Sequence, residues 1–132
     1  MIDPVQNYLR ERGCGEHVVQ GGFAGLVKSW EQVVAAVRAG YQFGLDDYLN
    51  DLDARQLLEE ALSVATPEDI EAQLGRIQTA DAQMKALLLP AAVCLWGAEV
   101  AAEEGWTHEQ NWWYFGIPKN AGETLREDLR NE

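Results

Sequence analysis

The densest group of residues able to do chemistry is an acidic stretch at positions 46–71. It holds nine carboxylates and one cation, Arg55, so its net charge is −8 out of −12 for the whole chain. A field concentrated in this way speeds and orients encounter with a basic surface. The stretch therefore predicts a surface that binds a basic protein, with the candidate residues Asp46, Asp47, Asp51, Asp53, Glu59 and Glu60.

The same stretch has plainer explanations. Acids at the start of a helix are stabilised by the helix dipole, and a charged helix face keeps a protein dissolved. A calcium loop needs oxygen ligands at alternating positions, then a glycine and a distant glutamate, and residues 46–51 lack that order. A binding surface and a solubilising surface both stay open, whereas no metal site is predicted.

Asp81 interrupts an otherwise apolar helical pattern. The pattern runs through Ile70, Leu74 and Ile77 before Asp81 and continues with Met84 and Leu88 afterwards. A carboxylate in such a stripe must be paired, hydrogen-bonded or protonated. One interpretation is a helix cap or an ion pair with an arginine such as Arg38 or Arg76; the other is an acid or base with a raised pKa that lines a pocket.

The histidines and cysteines form no recognisable motif. His17 and His108 are not at the spacing that places two ligands on one helix, and no nucleophile elbow, phosphate-binding glycine loop or Cys-x-x-Cys occurs. Cys14 and Cys94 are eighty positions apart in contrasting surroundings, which favours free thiols in a reducing cytoplasm. The sequence therefore predicts no catalytic residue, cofactor or metal ligand from motifs.

An aromatic segment lies near the end of the chain. Trp106, Trp112, Trp113, Tyr114 and Phe115 place five of the twelve aromatic residues within ten positions. No helical period relates them, so an extended segment or an ordered loop is expected, with neighbouring tryptophans on opposite sides. Trp112, Trp113 and Tyr114 are candidate partner-binding residues, because aromatic side chains dominate many interfaces. The alternative is that the segment covers the core.

Overall charge limits the classes of partner. A net charge of −12 repels a phosphate backbone and an anionic lipid surface, so neither nucleic acid nor membrane is an expected partner. The most apolar stretch, residues 86–98, is too short to span a bilayer and predicts a buried core helix instead. The first residues lack the basic and apolar runs of a secretory signal.

Helix start and stop signals divide the first half of the chain. Asp3 before Pro4 predicts a helix that ends near position 12, followed by a glycine-punctuated loop at 13–22. Apolar residues three and four apart predict the clearest helix, over 23–39, which Gly40 ends. The apolar face then shifts within residues 45–65, which predicts a break near Asp53.

Helix start and stop signals also divide the second half of the chain. Thr66 before Pro67 starts a helix, and Pro90 starts a separate or kinked helix over 91–104 that Gly105 ends. A last short helix follows Asn120. The sequence thus predicts one domain over residues 1–132: an all-α, compact bundle of six to seven short helices, with a non-helical aromatic-rich segment near the C-terminus.

Two functional hypotheses follow. The first is a small acidic protein-binding domain, an inhibitor of the immunity or antitoxin kind that covers a basic partner protein. The second is a small enzyme or ligand-binding domain whose inter-helix pocket uses Asp81 or His108. A homodimer sealed by exposed aromatic residues is compatible with either.

Overall fold

Residues 3–130 are described by a computed structural model, so the domain predicted for 1–132 extends beyond them. Within this range the structure is helical, with six α-helices, a short 3₁₀ turn and a two-stranded ribbon, which confirms the all-α class. The elements are α1 (Pro4–Glu11), α2 (Glu16–Arg38), α3 (Leu45–Leu62), α4 (Pro67–Ala86), β1 (Leu88–Pro90), α5 (Ala98–Glu104), the 3₁₀ turn (Trp112–Phe115), β2 (Gly116–Pro118) and α6 (Glu123–Arg130).

The first helix begins as its sequence indicates. The Asp3 carboxylate accepts hydrogen bonds from the backbone N–H groups of Val5 and Gln6 at 2.9 and 3.1 Å. The loop predicted for 13–22 is wrong beyond Gly15, because residues 16–21 already form the start of α2. Gly22, with φ 59° and ψ −153°, kinks the helix there, a conformation that is open to glycine and costly for other residues. Gly22 thus bends a helix instead of closing a loop.

Helix α2 is the centre of the bundle. Its apolar stripe is buried as predicted, with Trp30 and Val27 completely enclosed, and it packs against α1, α3 and α4. The backbone of Gly40 has φ 94°, which explains why a glycine ends this helix.

Helix α3 corrects one prediction. It is continuous through Asp53, and no cap or break occurs there. Arg55 is only 5% exposed and occupies the buried place between Leu52 and Leu58, so a charged residue completes the stripe. The two halves of α3 are buried on different sides because they meet different neighbours, α6 and the 3₁₀ turn in addition to α2.

Helix α4 begins at Pro67, where the Thr66 hydroxyl accepts from the Asp69 N–H at 3.1 Å. The helix is continuous through Asp81, so no break occurs there. Only its second half is covered: Ile77, Ala80 and Met84 are buried, whereas Leu74 is 41% exposed.

The core helix predicted within 86–104 is wrong, although its end is confirmed, because α5 stops at Gly105, whose φ is 74°. After α4 the chain forms β1, turns through residues 91–97 and makes only the short α5, none of whose residues is buried. Pro90 cannot donate a helical hydrogen bond, and the preceding residues pair with β2 instead, in the antiparallel register Leu88↔Pro118 and Leu89↔Ile117. Part of this apolar run therefore forms a strand of the two-stranded ribbon, in which Leu89 and Pro90 are exposed.

The aromatic segment is not α-helical, and it is extended only in part. Trp112–Phe115 is a 3₁₀ turn, and the following residues form β2. Cys14 and Cys94 are free thiols, as expected. Among residues 3–130, no helix combines the length and the apolar character needed to cross a bilayer.

Candidate functional site: the acidic stretch and the aromatic segment

Four of the six acidic candidates are used inside the molecule. The Tyr41 hydroxyl donates to Asp51 Oδ2 at 2.5 Å, and the Tyr114 hydroxyl donates to Asp53 Oδ1 at 2.5 Å. Trp96 Nε1 also donates to Asp53 Oδ1, at 3.3 Å. Burial, and then the hydrogen bond to the carboxylate, raise the pKa of both tyrosines well above the ordinary value. Asp51 and Asp53 therefore fasten other segments to α3.

Glu60 and Glu59 are also occupied. Glu60 Oε1 accepts from the Tyr8 hydroxyl at 2.5 Å and forms an ion pair with Arg12 at 2.7 Å. Burial, followed by the neighbouring Glu60, raises the pKa of Tyr8. Glu59 Oε1 accepts from Arg55 Nη1 at 2.9 Å. These two carboxylates connect α3 with α1 and with its own buried arginine.

The rest of the acidic stretch is different. Asp46 and Asp47 are exposed in the first turn of α3, and Glu68 and Glu71 are exposed at the start of α4. Within residues 3–130, these four carboxylates and that of Asp69 accept no hydrogen bond from a side chain and form no ion pair. The structure thus separates the stretch into internal and external carboxylates, a division that sequence spacing does not reveal.

The aromatic candidates are mostly core residues. Trp113 is 1% exposed and Tyr114 is fully buried, so neither side chain is on the surface. Trp113 lies under the Arg55 guanidinium, 4.5 Å from ring centroid to Cζ. Trp112 is half-buried and packs edge-to-face on Trp30, with Lys85 Nζ 4.9 Å from its centroid. Of the three aromatic candidates, Trp112 alone keeps an accessible surface.

Asp81 is an ion-pair partner. Its carboxylate receives Arg55 Nε on Oδ1 and Arg55 Nη2 on Oδ2, both at 2.9 Å, and Trp30 Nε1 on Oδ1 at 2.8 Å. The partner is therefore Arg55, not Arg38 or Arg76; Arg76 instead pairs with Glu31. Burial alone would lower the pKa of Arg55, but the bonds and charges of Asp81 and Glu59 raise it. The cation stays charged inside the fold.

His108 likewise has a structural role. Its Nε2 lies 3.1 Å from the carbonyl oxygen of Ala92, which can only accept, so this nitrogen donates. The ring lies 4.0 Å from that of Phe115. A shallow hollow of about 400 Å³ adjoins it, lined by Thr107, His108, Glu109 and Gln110. Both candidate acid–base residues are thus hydrogen-bonded within the chain, His108 to Ala92 and Asp81 to Arg55 and Trp30.

Two concave regions adjoin the internal carboxylates. A groove of about 540 Å³ runs past Arg55, Glu59, Lys85 and Trp112. A pocket of about 260 Å³ contains three carboxylates against one guanidinium, and the stacked rings of Trp106 and Tyr114, 4.1 Å apart, form one wall. Carboxylates beside an aromatic face favour a cation over an anion. The pocket is lined by Arg12, Asp53, Gln56, Glu60, Glu104, Trp106 and Tyr114.

Sequence reasoning missed a set of exposed apolar side chains. Among residues 3–130 the large ones are Phe43, Leu74, Leu89 and Val93, exposed by 60, 41, 52 and 55%. Single exposed apolar residues are common on proteins. Phe43 stands out because it directly precedes α3 and the external carboxylates Asp46 and Asp47.

No protein-family model, curated protein or solved structure matches this chain. Its function is therefore inferred from its own residues.

Proposed function

We propose that this chain is a protein-binding domain that covers a basic partner protein, as an inhibitor of the immunity or antitoxin kind does. The observation that carries the proposal is the division of the acidic stretch. Asp51 and Asp53 accept hydrogen bonds from tyrosine hydroxyls, and Glu59 and Glu60 are paired with arginines. Within residues 3–130, neither kind of side-chain partner is found for Asp46, Asp47, Glu68, Asp69 and Glu71.

Free surface carboxylates act differently from paired ones. A carboxylate beside an arginine contributes little field at a distance, whereas unpaired carboxylates add to the potential that a partner meets. These acids lie in the first two turns of α3 and α4, so their backbones are fixed by secondary structure. Pre-positioned charge of this kind raises the association rate with a basic surface and fixes orientation, more than it adds affinity.

The pocket lined by three carboxylates and one guanidinium gives the proposal a second support. Its size suits one extended lysine or arginine side chain, and the partly exposed ring of Trp106, stacked on the buried Tyr114, offers aromatic surface to such a cation. The half-buried Trp112, at the edge of the larger groove, supplies aromatic contact surface. Both features suit a protein partner better than a nucleic acid, whose phosphates would be repelled.

The test is association kinetics with the partner recovered from the organism that makes this chain. Asp46→Asn with Asp47→Asn removes two external charges. We expect this double variant to slow association by about tenfold at low salt, and we expect the difference to shrink as salt screens the charges.

Glu99→Gln with Glu103→Gln is the matched control. It changes the net charge equally, at two exposed positions of α5 outside the acidic stretch. If both double variants slow association equally, only the total charge matters and the proposed surface is wrong. If no basic protein associates with the chain at low salt, the proposed function itself is wrong.

A further inference from the structure

Phe43 is the most exposed large apolar side chain in the described part of the molecule, at 60%. It lies one residue before the N-cap of α3, Gly44, where an apolar residue commonly packs on the fourth helical residue. That residue is Tyr48, which is completely buried beside Tyr41. The Phe43 ring reaches only the edge of Tyr41, at 5.9 Å between centroids, so most of its surface is left uncovered.

Two external carboxylates follow this ring closely in the sequence. Asp46 and Asp47 follow it by three and four residues, are exposed, and have no ion-pair partner within residues 3–130. Helix α6 is tied to the same corner, because Asp128 Oδ2 accepts from the Leu45 N–H at 2.9 Å. The acids of α6 are nearly balanced by Arg126 and Arg130, so the excess charge beside Phe43 comes from Asp46 and Asp47.

The ribbon carries the opposite combination. Leu89 is 52% exposed, but Lys85 precedes it by four residues. Lys119 lies just after the end of the opposite strand, two residues beyond Ile117, which faces Leu89, and its N–H is 2.8 Å from the carbonyl oxygen of Leu87. The lysines beside Leu89 would repel a basic partner. Phe43, in contrast, is an exposed aromatic ring followed by two carboxylates without ion-pair partners within residues 3–130.

We infer that Phe43 is the apolar anchor of the interface, and that it packs on an apolar face of the partner that is rimmed by lysine or arginine. The inference rests on the proposed function and names where the basic partner docks. Charge complementarity selects this occupant: a second copy of the chain related by a two-fold axis would place Asp46 and Asp47 against the same residues. Interfaces commonly combine a central aromatic anchor with a polar rim, and Phe43 beside Asp46 and Asp47 offers both.

The experiment uses the whole chain and two synthetic peptides as probes. The first is an amphipathic helix with leucine on one face and lysine on the other; in the second, serine replaces every leucine. Binding is followed by amide chemical shifts and by titration. We expect the leucine–lysine peptide to perturb residues 42–48 and to bind more tightly than the serine–lysine peptide.

Three variants locate the contact. Phe43→Ser should weaken the binding of the leucine–lysine peptide by about tenfold or more, which is the loss in affinity typical of a hot-spot residue. Leu89→Ser, at a site of similar exposure, should leave binding unchanged. Asp46→Asn with Asp47→Asn should weaken both peptides, most strongly at low salt. Thermal unfolding of each variant checks that the fold is retained, as expected for exposed positions.

The outcomes separate the two proposals. If the aspartate variants weaken binding but Phe43→Ser does not, the acidic surface stands and the anchor is wrong. If Leu89→Ser has the larger effect, or the shifts centre on residues 86–93, docking occurs at the ribbon and the inference is overturned. If neither peptide binds the unaltered chain, both the anchor and the proposed function are contradicted.

Discussion

Removing the Asp81 carboxylate should be one of the most damaging single changes in this molecule. Asp81→Ala deletes two charge-assisted hydrogen bonds to Arg55, each 2.9 Å long, and one from Trp30 at 2.8 Å. Removing one partner of a buried ion pair costs about 3–5 kcal/mol, because the remaining charge is left without compensation. Arg55 is only 5% exposed, so water is a poor substitute for the lost charged acceptor.

The remaining bond sets the expected magnitude. Glu59 still accepts from Arg55 Nη1 at 2.9 Å, so the cation keeps one charged partner. We therefore expect a loss near the lower limit, about 3 kcal/mol in the free energy of unfolding. Urea denaturation followed by tryptophan fluorescence measures it, and buried Trp30 reports directly on the site.

A double variant tests the cause. Adding Arg55→Met to Asp81→Ala removes the stranded charge, so much of the lost stability should return. Glu31→Gln, which breaks the exposed pair with Arg76, is the control and should barely move the denaturation midpoint. A loss below about 1 kcal/mol for Asp81→Ala, or strict additivity in the double variant, would refute this account of the ion pair.

Three other perturbations have defined outcomes. Asp53→Ala removes the acceptor 2.5 Å from the Tyr114 hydroxyl, so we expect a loss of about 1–3 kcal/mol and faster amide hydrogen exchange in residues 106–118; unchanged exchange would contradict that role. Burial and carboxylates raise the pKa of Tyr41 and Tyr114 above 10.0, so the folded chain holds these protons more tightly than the unfolded chain does. The stability that these protons contribute is present below about pH 10 and should be lost as the pH rises further. Denaturation curves measured below and above about pH 10 should therefore show a fall in the free energy of unfolding, and Tyr114→Phe should make that fall smaller. Gly122→Ala would bring a Cβ into the carbonyl oxygen of Tyr41, so its melting temperature should fall, whereas Gly21→Ala, which meets no atom within 4 Å, should not be destabilised in the same way.

Much of the fold was predictable where one local signal decided the outcome. The Asp3 and Thr66 caps and the apolar stripe of α2 each depend on neighbouring residues alone, and all three are confirmed. The break predicted near Asp53 failed because the pattern treats arginine as polar. Arg55 is buried only because Asp81, 26 residues away, neutralises it.

The segment after α4 failed for a related reason. Residues 86–98 are apolar enough for a core helix, but the choice between helix and ribbon depended on pairing with β2, which lies far along the chain. Local composition contains no information about such a partner.

The candidate site was predictable in outline only. Sequence located the acidic stretch, but it could not separate Asp51 and Asp53, which accept tyrosine hydroxyls, from Asp46 and Asp47, which do not. It also left open whether Trp113 and Tyr114 bind a partner or cover the core, and both are buried. A usable signal for Phe43 did exist, namely an apolar residue just before a helix that opens with two acids.

Five consecutive residues of α3 connect three separate parts of the chain. Asp51 holds Tyr41 in the connection after α2, Asp53 holds Tyr114 in the aromatic segment, and Arg55 holds Asp81 on α4. Local unfolding of this helical turn, residues 51–55, would release all three attachments together. The turn therefore couples the unfolding of distant segments, so residues 3–130 should lose their structure in one cooperative transition, with the aromatic segment and α4 melting at the same denaturant concentration.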